Sequence, residues 1–337
     1  MVAVISNNIF PKMKKKILLV IPDYDDFPDL FERNLQYAGF ETYVITDAIE
    51  SLPQYKLKNK GLHFFRKIFK GDRSLKQNLI VQQKKTELSN KFKELPDNLD
   101  YILVIRPDHF DVDFIKALKL KTQNLIAYQW DGFAKFPNVK SYIPFFDSFF
   151  CFETEQDSRL KFITNFYFDF NPPKISIEKS GKLLFYFVGL YRENREKKIN
   201  RFIDEVSNLD IQLWVNIQYW NKKEKTNPKI NYIKKRISFA ENIENVQKAD
   251  VLLDFVDPLH HGLSLRFFEA LYYKKKVITD NKEVKKYDFY HPNNIFLIEN
   301  ENYSYISEFL TLPYFEINDK IVQKYSFSSW IKEITKQ

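Results

Sequence analysis

Residues 254–281 read DFVDPLHHGLSLRFFEALYYKKKVITDN. The run just before it, Val251, Leu252 and Leu253, is short and apolar, the pattern of a buried strand. A polar loop follows, holding Asp257, His260, His261 and Gly262. A helix is predicted from about Ser264 and carries Arg266 and Glu269. Lys276, Val277, Ile278 and Thr279 then read as a second strand, closed by Asp280 and Asn281. Strand, tight loop, helix and strand in this order make a parallel α/β unit. Its ionisable groups gather where the loop meets the helix N-terminus. Free backbone N–H groups and the helix dipole make such an end a site for anions.

The rest of the chain repeats the pattern. The apolar run 17–21 reads as a buried parallel strand, with Pro22, Asp23, Tyr24, Asp25 and Asp26 at its exit. Helical spacing over 28–38, a stop at Gly39 and a strand at 41–46 complete an opening βαβ unit. It lacks the G-x-G-x-x-G fingerprint, which argues against a classical NAD site. Further strands are predicted at 101–105, 124–128 and 145–152. They deliver Arg106 and His109, then Trp130, Asp131 and Gly132, then Glu153, to one sheet edge. Ligands bind at that edge in open α/β sheets. A second α/β series starts at Leu183, with Gly189 and Arg192 at its first strand's exit. Residues 219–235 form a basic excursion, and 239–248 have helical spacing but weak caps.

The fold class predicted is therefore α/β, with two Rossmann-like domains facing a cleft. The first spans 14–168 with a basic insertion at 51–93. A linker spans 169–182, the second domain 183–320, and a C-terminal helix within 321–337 is expected to pack back on the first domain. A length of 337 residues suits two domains. A hydrophobic content of 44% and an aromatic content of 17% exclude a mostly disordered chain.

The net charge of +8 is uneven. Residues 51–93 hold twelve Lys and Arg against Asp72 and Glu87. Leu62, Phe65 and Phe69 fall on one helical face there, flanked by cations, as in an interfacial helix that meets anionic lipid. The other reading is a solvated helix on its own domain. The single cysteine, Cys151, sits in an aromatic run and cannot form an intrachain disulfide. No apolar run approaches the ~18 residues that span a bilayer. The N-terminal stretch lacks the basic and apolar regions of a signal peptide. The chain reads as cytoplasmic, and peripheral on an inner membrane if the 56–93 region binds lipid.

Two similar halves with a central linker resemble the GT-B glycosyltransferases. Retaining members carry E-G-F-G-L-x-x-x-E followed by A-x-x-x-G-x-P-V-I-x-T-D. Residues 261–269, HGLSLRFFE, align onto the first part without a gap, and Ala270, Val277, Ile278, Thr279 and Asp280 follow in register. The segment also resembles the G-x-S-x-R-x-F-E-A-L form of a divergent branch that includes lipopolysaccharide, capsule and spore-coat enzymes. His261 stands in place of the first acid, and Lys274 to Lys276 replace the loop glycine and proline. The resemblance implies that Glu269 accepts hydrogen bonds from the donor ribose. It implies that Gly262, Leu263 and Ser264 offer N–H groups to a pyrophosphate, with Arg266 near it. It also implies a basic group after the first strand of the second domain, here Gly189 followed by Arg192. An alternative for Arg266 is a structural pair with Glu269 at i, i+3.

An acceptor hydroxyl needs a base if transfer inverts the anomeric centre. Asp131, between Trp130 and Gly132, is the first candidate, and His109 the second. His261 faces the donor by register. The plainer reading of Asp131 is a helix cap beside a buried Trp. Asp23-x-Asp25 and Asp111-x-Asp113 match a metal-binding D-x-D only formally, and no Cys/His spacing suggests zinc. No metal or cofactor is expected. The expected partners are a nucleotide-sugar donor and a glycan or lipid-linked glycan acceptor, without nucleic acid. The competing class is a non-catalytic GT-B-like protein, or a basic module gripping nucleic acid or lipid.

Overall fold

The computed structural model describes residues 14–48, 74–153, 157–170, 181–220, 227–256 and 262–336, with side chains from 82 onward in the helix that begins at Ser74. Asp257, His260, His261 and the amphipathic stretch 62–70 lie outside the described residues.

The first domain is a six-stranded parallel sheet in the order β2-β1-β3-β4-β5-β6. The strands are β1 (Lys16–Ile21), β2 (Glu41–Thr46), β3 (Tyr101–Ile105), β4 (Leu125–Gln129), β5 (Ser148–Cys151) and β6 (Leu160–Phe162). Helices α1 (Phe27–Tyr37), α2 (Ser74–Glu94) and α3 (Val112–Leu118) accompany it. Residues 17–21 and 102–105 are fully buried. Strands covered on both faces need apolar side chains at every position, which is why these runs do not alternate.

The second sheet runs β12-β11-β10-β7-β8-β9, again all parallel. It comprises β7 (Leu183–Leu190), β8 (Ile211–Gln218), β9 (Ile230–Ile233), β10 (Val251–Asp254), β11 (Lys276–Thr279) and β12 (Ile295–Leu297). Helices α4 (Glu193–Glu205), α5 (Phe239–Lys248), α6 (Leu265–Tyr272), α7 (Ile306–Thr311) and α8 (Asp319–Lys324) pack around it. The order reverses between β7 and β10, and the connections leave opposite faces there. That opens a crevice at the strand ends.

The last helix, α9 (Phe327–Thr335), crosses back to the first sheet. Trp330 lies 5.0 Å from Tyr128 and 4.6 Å from Phe166, ring centre to ring centre. The two chain crossings pair with each other. The Tyr167 N–H donates to Tyr325 O at 3.0 Å, and the Phe327 N–H donates to Tyr167 O at 2.8 Å.

One aromatic core spans the domain boundary. Phe27 and Phe168 both pack edge-on against Phe239, at 5.3 and 5.2 Å. Asp26 sits beside them, in the first domain, and its carboxylate accepts the N–H groups of Phe239 and Ala240 at 2.8 and 2.9 Å. It thus caps α5 of the other domain and supplies what that helix lacks locally beyond Ser238, which accepts from the Glu241 N–H at 3.2 Å. Asp26→Ala is expected to cost about 1 kcal/mol, the usual worth of an N-cap. Urea denaturation would measure it, and no change would mean that Ser238 caps the helix alone.

The basic segment is partly neutralised where it is described. Lys84 pairs with Asp47 and Lys85 with Asp111, each at 2.9 Å. Among the described residues, no helix is long and apolar enough to cross a membrane.

Candidate active site

A cleft of about 420 Å³ lies between the C-terminal edges of the two sheets. On the second domain it opens at the β7–β10 crevice. Val188 and Asp254 from those strands line it, with Glu269 and Arg266 from α6. On the first domain its wall is aromatic, with Trp130, Phe27 and Phe152 among the lining residues.

Gly262, at the entry to α6, has φ +132°, and an added Cβ would lie 2.7 Å from the Phe152 ring and 2.9 Å from the Phe152 carbonyl oxygen. Only glycine allows this approach of the two domains. The next carbonyls are pinned from both sides. Asn281 donates to Gly262 O at 2.9 Å, and Asn165 donates to Leu263 O at 2.8 Å. Asn165 is itself held by the Tyr128 hydroxyl. The N–H groups of residues 263–266 have no hydrogen-bond partner among the described residues, as the first turn of a helix leaves them.

Arg266 and Ser264 both turn to Asp254. The carboxylate accepts from Ser264 Oγ and from Arg266 Nη1, each at 2.8 Å. Arg266 Nη2 donates to Val188 O at 2.5 Å, and the guanidinium lies 5.1 Å from the Phe187 ring centre. Arg266 therefore ties β7, β10 and α6 together and is not ion-paired with Glu269. Asn242 donates to Glu269, with Nδ2 at 3.4 Å from both carboxylate oxygens. Burial pushes the Glu269 carboxyl up to about 7, against the opposing pull of Arg266 and Asn242. A carboxylate that is deeply placed and weakly satisfied still has room to accept hydrogen bonds from a ligand's hydroxyls.

Gly189 lies in β7, where a Cβ would meet the Phe187 ring at 2.9 Å, and it does not line the cleft. Arg192 is the residue before α4, and its guanidinium turns to Tyr191 O at 3.0 Å. The cation that lines the cleft from this helix is Arg195, which sequence reasoning passed over. It donates to Phe255 O at 3.0 Å and to Leu190 O at 3.2 Å. It was findable, since it lies in the helix's first turn and Arg192 does not. Arg236, Asn242 and Asn281 also line the cleft and carry no local signature.

On the first domain, Asp131 is held by the buried guanidinium of Arg106 and, at 3.5 Å, by Lys135. Arg106 also pairs with Asp108, at 2.7 and 2.8 Å. The next helical turn, Pro137–Phe145, has Phe136 at its N-cap, so Asp131 is not a cap. Trp130 is half-buried and lines the cleft. His109 sits between Tyr24 and Asp47, with Nε2 at 2.8 Å from the Tyr24 hydroxyl and Nδ1 at 3.3 Å from Asp47 Oδ2. Asp111 caps α3, accepting the Asp113 N–H at 2.9 Å, and Asp25 pairs with Arg236 at 3.0 Å. Among the described residues, no three His, Cys, Asp or Glu are grouped to hold a metal ion.

No family model and no curated protein matches the chain. Solved structures do. The N-terminal domain of a Candida albicans trehalose-6-phosphate phosphatase is similar with a TM-score of 0.57 and 12% identity, over 97% of this chain and 98% of that one. An OtsA structure in its apo form gives 0.56 and 9%, over 95% and 99%. An α,α-trehalose-phosphate synthase (UDP-forming) from Burkholderia xenovorans, in complex with glucose-6-phosphate, gives 0.55 and 11%, over 96% and 99%. Likeness at this identity shows the fold. The chain has the GT-B arrangement of two Rossmann-like domains facing a cleft, the fold class expected from its sequence.

Proposed function

We propose that the chain is a metal-independent glycosyltransferase. It moves a sugar from a nucleotide-activated donor to a glycan or lipid-linked glycan of a bacterial surface polymer. The observation that carries this reading is the placement of Glu269. It is a buried, weakly satisfied carboxylate one turn into a helix whose N-terminal N–H groups border the cleft. A nucleoside diphosphate presents a cis-diol to the first and a dianion to the second.

In this reading the donor lies on the second domain. Glu269 accepts from the ribose, and the 262–264 loop and Arg195 meet the pyrophosphate. Arg266 acts by fixing Asp254 and the loop, with Gly189 and Arg192 shaping the strand exit. His261 faces the donor sugar by register. Cations and N–H groups stabilise the departing diphosphate without a metal. The acceptor enters along the first domain beside Trp130, with Asp131 and His109 behind it. The basic 56–93 region holds the enzyme near an anionic surface on the cytoplasmic side of the membrane.

A thermal-shift screen against UDP, GDP, ADP and their sugars tests this. A ligand at 100 times its Kd adds about 2.7 kcal/mol to the folded state, enough to raise the melting temperature by several degrees. One nucleotide should do so with EDTA present, and Glu269→Ala should abolish the shift. A folded Glu269→Ala protein that still responds would sink the site assignment.

A further inference from the structure

We propose that Tyr24, His109 and Asp47 form a proton relay that removes the acceptor's proton, with the Tyr24 hydroxyl as the group that meets the acceptor. The proposal rests on the glycosyltransferase reading above and adds the base that this reading leaves unassigned.

The three residues leave adjacent strands. Tyr24 follows β1, Asp47 follows β2 and His109 follows β3, at the sheet edge that borders the cleft. Asp47 is fully engaged. Oδ1 accepts the Asp23 N–H at 2.7 Å, and Oδ2 accepts from Lys84 at 2.9 Å and faces His109 Nδ1 at 3.3 Å. Burial raises its carboxyl pKa, but hydrogen bonds from His109, the Asp23 N–H and Lys84 overcome this and hold it well below the usual range. An ionised Asp47 can only accept, so Nδ1 of His109 carries the proton and Nε2 accepts from Tyr24.

Both ring nitrogens of His109 are therefore committed, and an acceptor cannot reach it directly. None of the three is itself among the residues that line the cleft, and Tyr24 is the one whose ring contacts residues that do. It is half-buried, its ring stacked on Trp130 at 6.1 Å and lying 5.5 Å from the Arg236 guanidinium. Trp130 and Arg236 both line the cleft, as does the neighbouring Asp25. Burial is the main cause that raises the Tyr24 pKa, opposed by Arg106 and reinforced by Asp131, Asp47 and Asp108. The phenol thus stays protonated at neutral pH and hands on a proton as it receives one. Asp131, the other candidate base, lies between Arg106 and Lys135.

The acceptor oxygen bonds to the donor's anomeric carbon from the face opposite the diphosphate. The bond from that carbon to the diphosphate oxygen breaks, and its electron pair leaves on the nucleoside diphosphate. The acceptor's proton passes to the Tyr24 oxygen while the Tyr24 proton passes to His109 Nε2. Asp47 stabilises the imidazolium, which then loses its proton to solvent. Attack from the opposite face inverts the anomeric centre.

The test is nucleoside diphosphate release from UDP-, GDP- and ADP-hexoses, with octyl glucoside as acceptor and wild type, Tyr24→Phe and His109→Gln compared. Each variant should lose about 100-fold or more in kcat, the usual worth of a positioned base. Nucleotide-induced thermal shifts should survive in both. His109→Gln should lower kcat while leaving the KM for the nucleotide sugar near the wild-type value, a split that a purely structural role would not produce. The product should carry the inverted configuration by NMR coupling. If Tyr24→Phe does not fold, His109→Gln and its split between kcat and KM decide. A retained product, or variants within about threefold of wild type, a change too small for a lost base, overturns the relay alone. No thermal shift with any nucleotide removes the donor reading and the relay with it.

Discussion

Glu269→Gln is expected to stabilise the free protein at pH 8 and to leave it unchanged near pH 4. The Glu269 carboxyl is raised from its ordinary 4.5 to about 7, chiefly by burial. Between those values the folded chain binds a proton that the unfolded chain has released. Stability from this group is therefore fully present below pH 4.5 and is lost as pH rises through 7. A rise of that size corresponds to about 3 kcal/mol of penalty above pH 7. Glutamine keeps the shape and one acceptor oxygen but never ionises, so it escapes the penalty. Urea denaturation of both proteins from pH 4 to pH 8.5 should show curves that meet in acid and diverge in base. Parallel curves would mean that Glu269 is solvated in solution. The same variant should bind nucleotide poorly, because a ribose diol calls for an ionised, two-oxygen acceptor. Stability gained together with binding lost is the signature of a residue kept for its ligand.

The long buried strands were legible because they are covered on both faces. Residues 17–21, 101–105 and 251–253 are continuous apolar runs with polar loops behind them. The edge strands β6 and β9 were not. β6 has three residues and β9 has four, and β9 lies inside a stretch whose charge reads as a loop. The α6 segment was legible as a helix with Arg266 and Glu269 one turn apart. Its pairing was not, since i, i+3 geometry points Arg266 at Glu269 while a buried carboxylate twelve residues upstream takes it instead. The cap of α5 looked weak for a similar reason, because Asp26 lies 213 residues from the N–H it accepts. Tyr24, Asp47 and His109 share no period at all. Only the strand order β2-β1-β3 brings them together.

Arg266→Ala is expected to cost about 3–5 kcal/mol, as breaking one partner from a buried ion pair does. Asp254 is 6% exposed and, among the described residues, would keep Ser264 alone as a side-chain donor, while Val188 O would lose its guanidinium contact. The penalty comes from the stranded carboxylate, so it should fall when that charge is removed. Asp254→Asn combined with Arg266→Ala should recover about half or more of the loss, a coupling of about 2 kcal/mol. The double variant also separates two roles that the sequence left fused. If Arg266 serves only to fix Asp254 and the loop before α6, the refolded double variant should still show a nucleotide-induced thermal shift close to that of wild type. If Arg266 meets the donor phosphates, the shift should vanish although the fold has recovered. A loss below about 1 kcal/mol for Arg266→Ala, typical of a solvent-exposed pair, would show that water already reaches Asp254 and that the pair does not brace the crevice between β7 and β10.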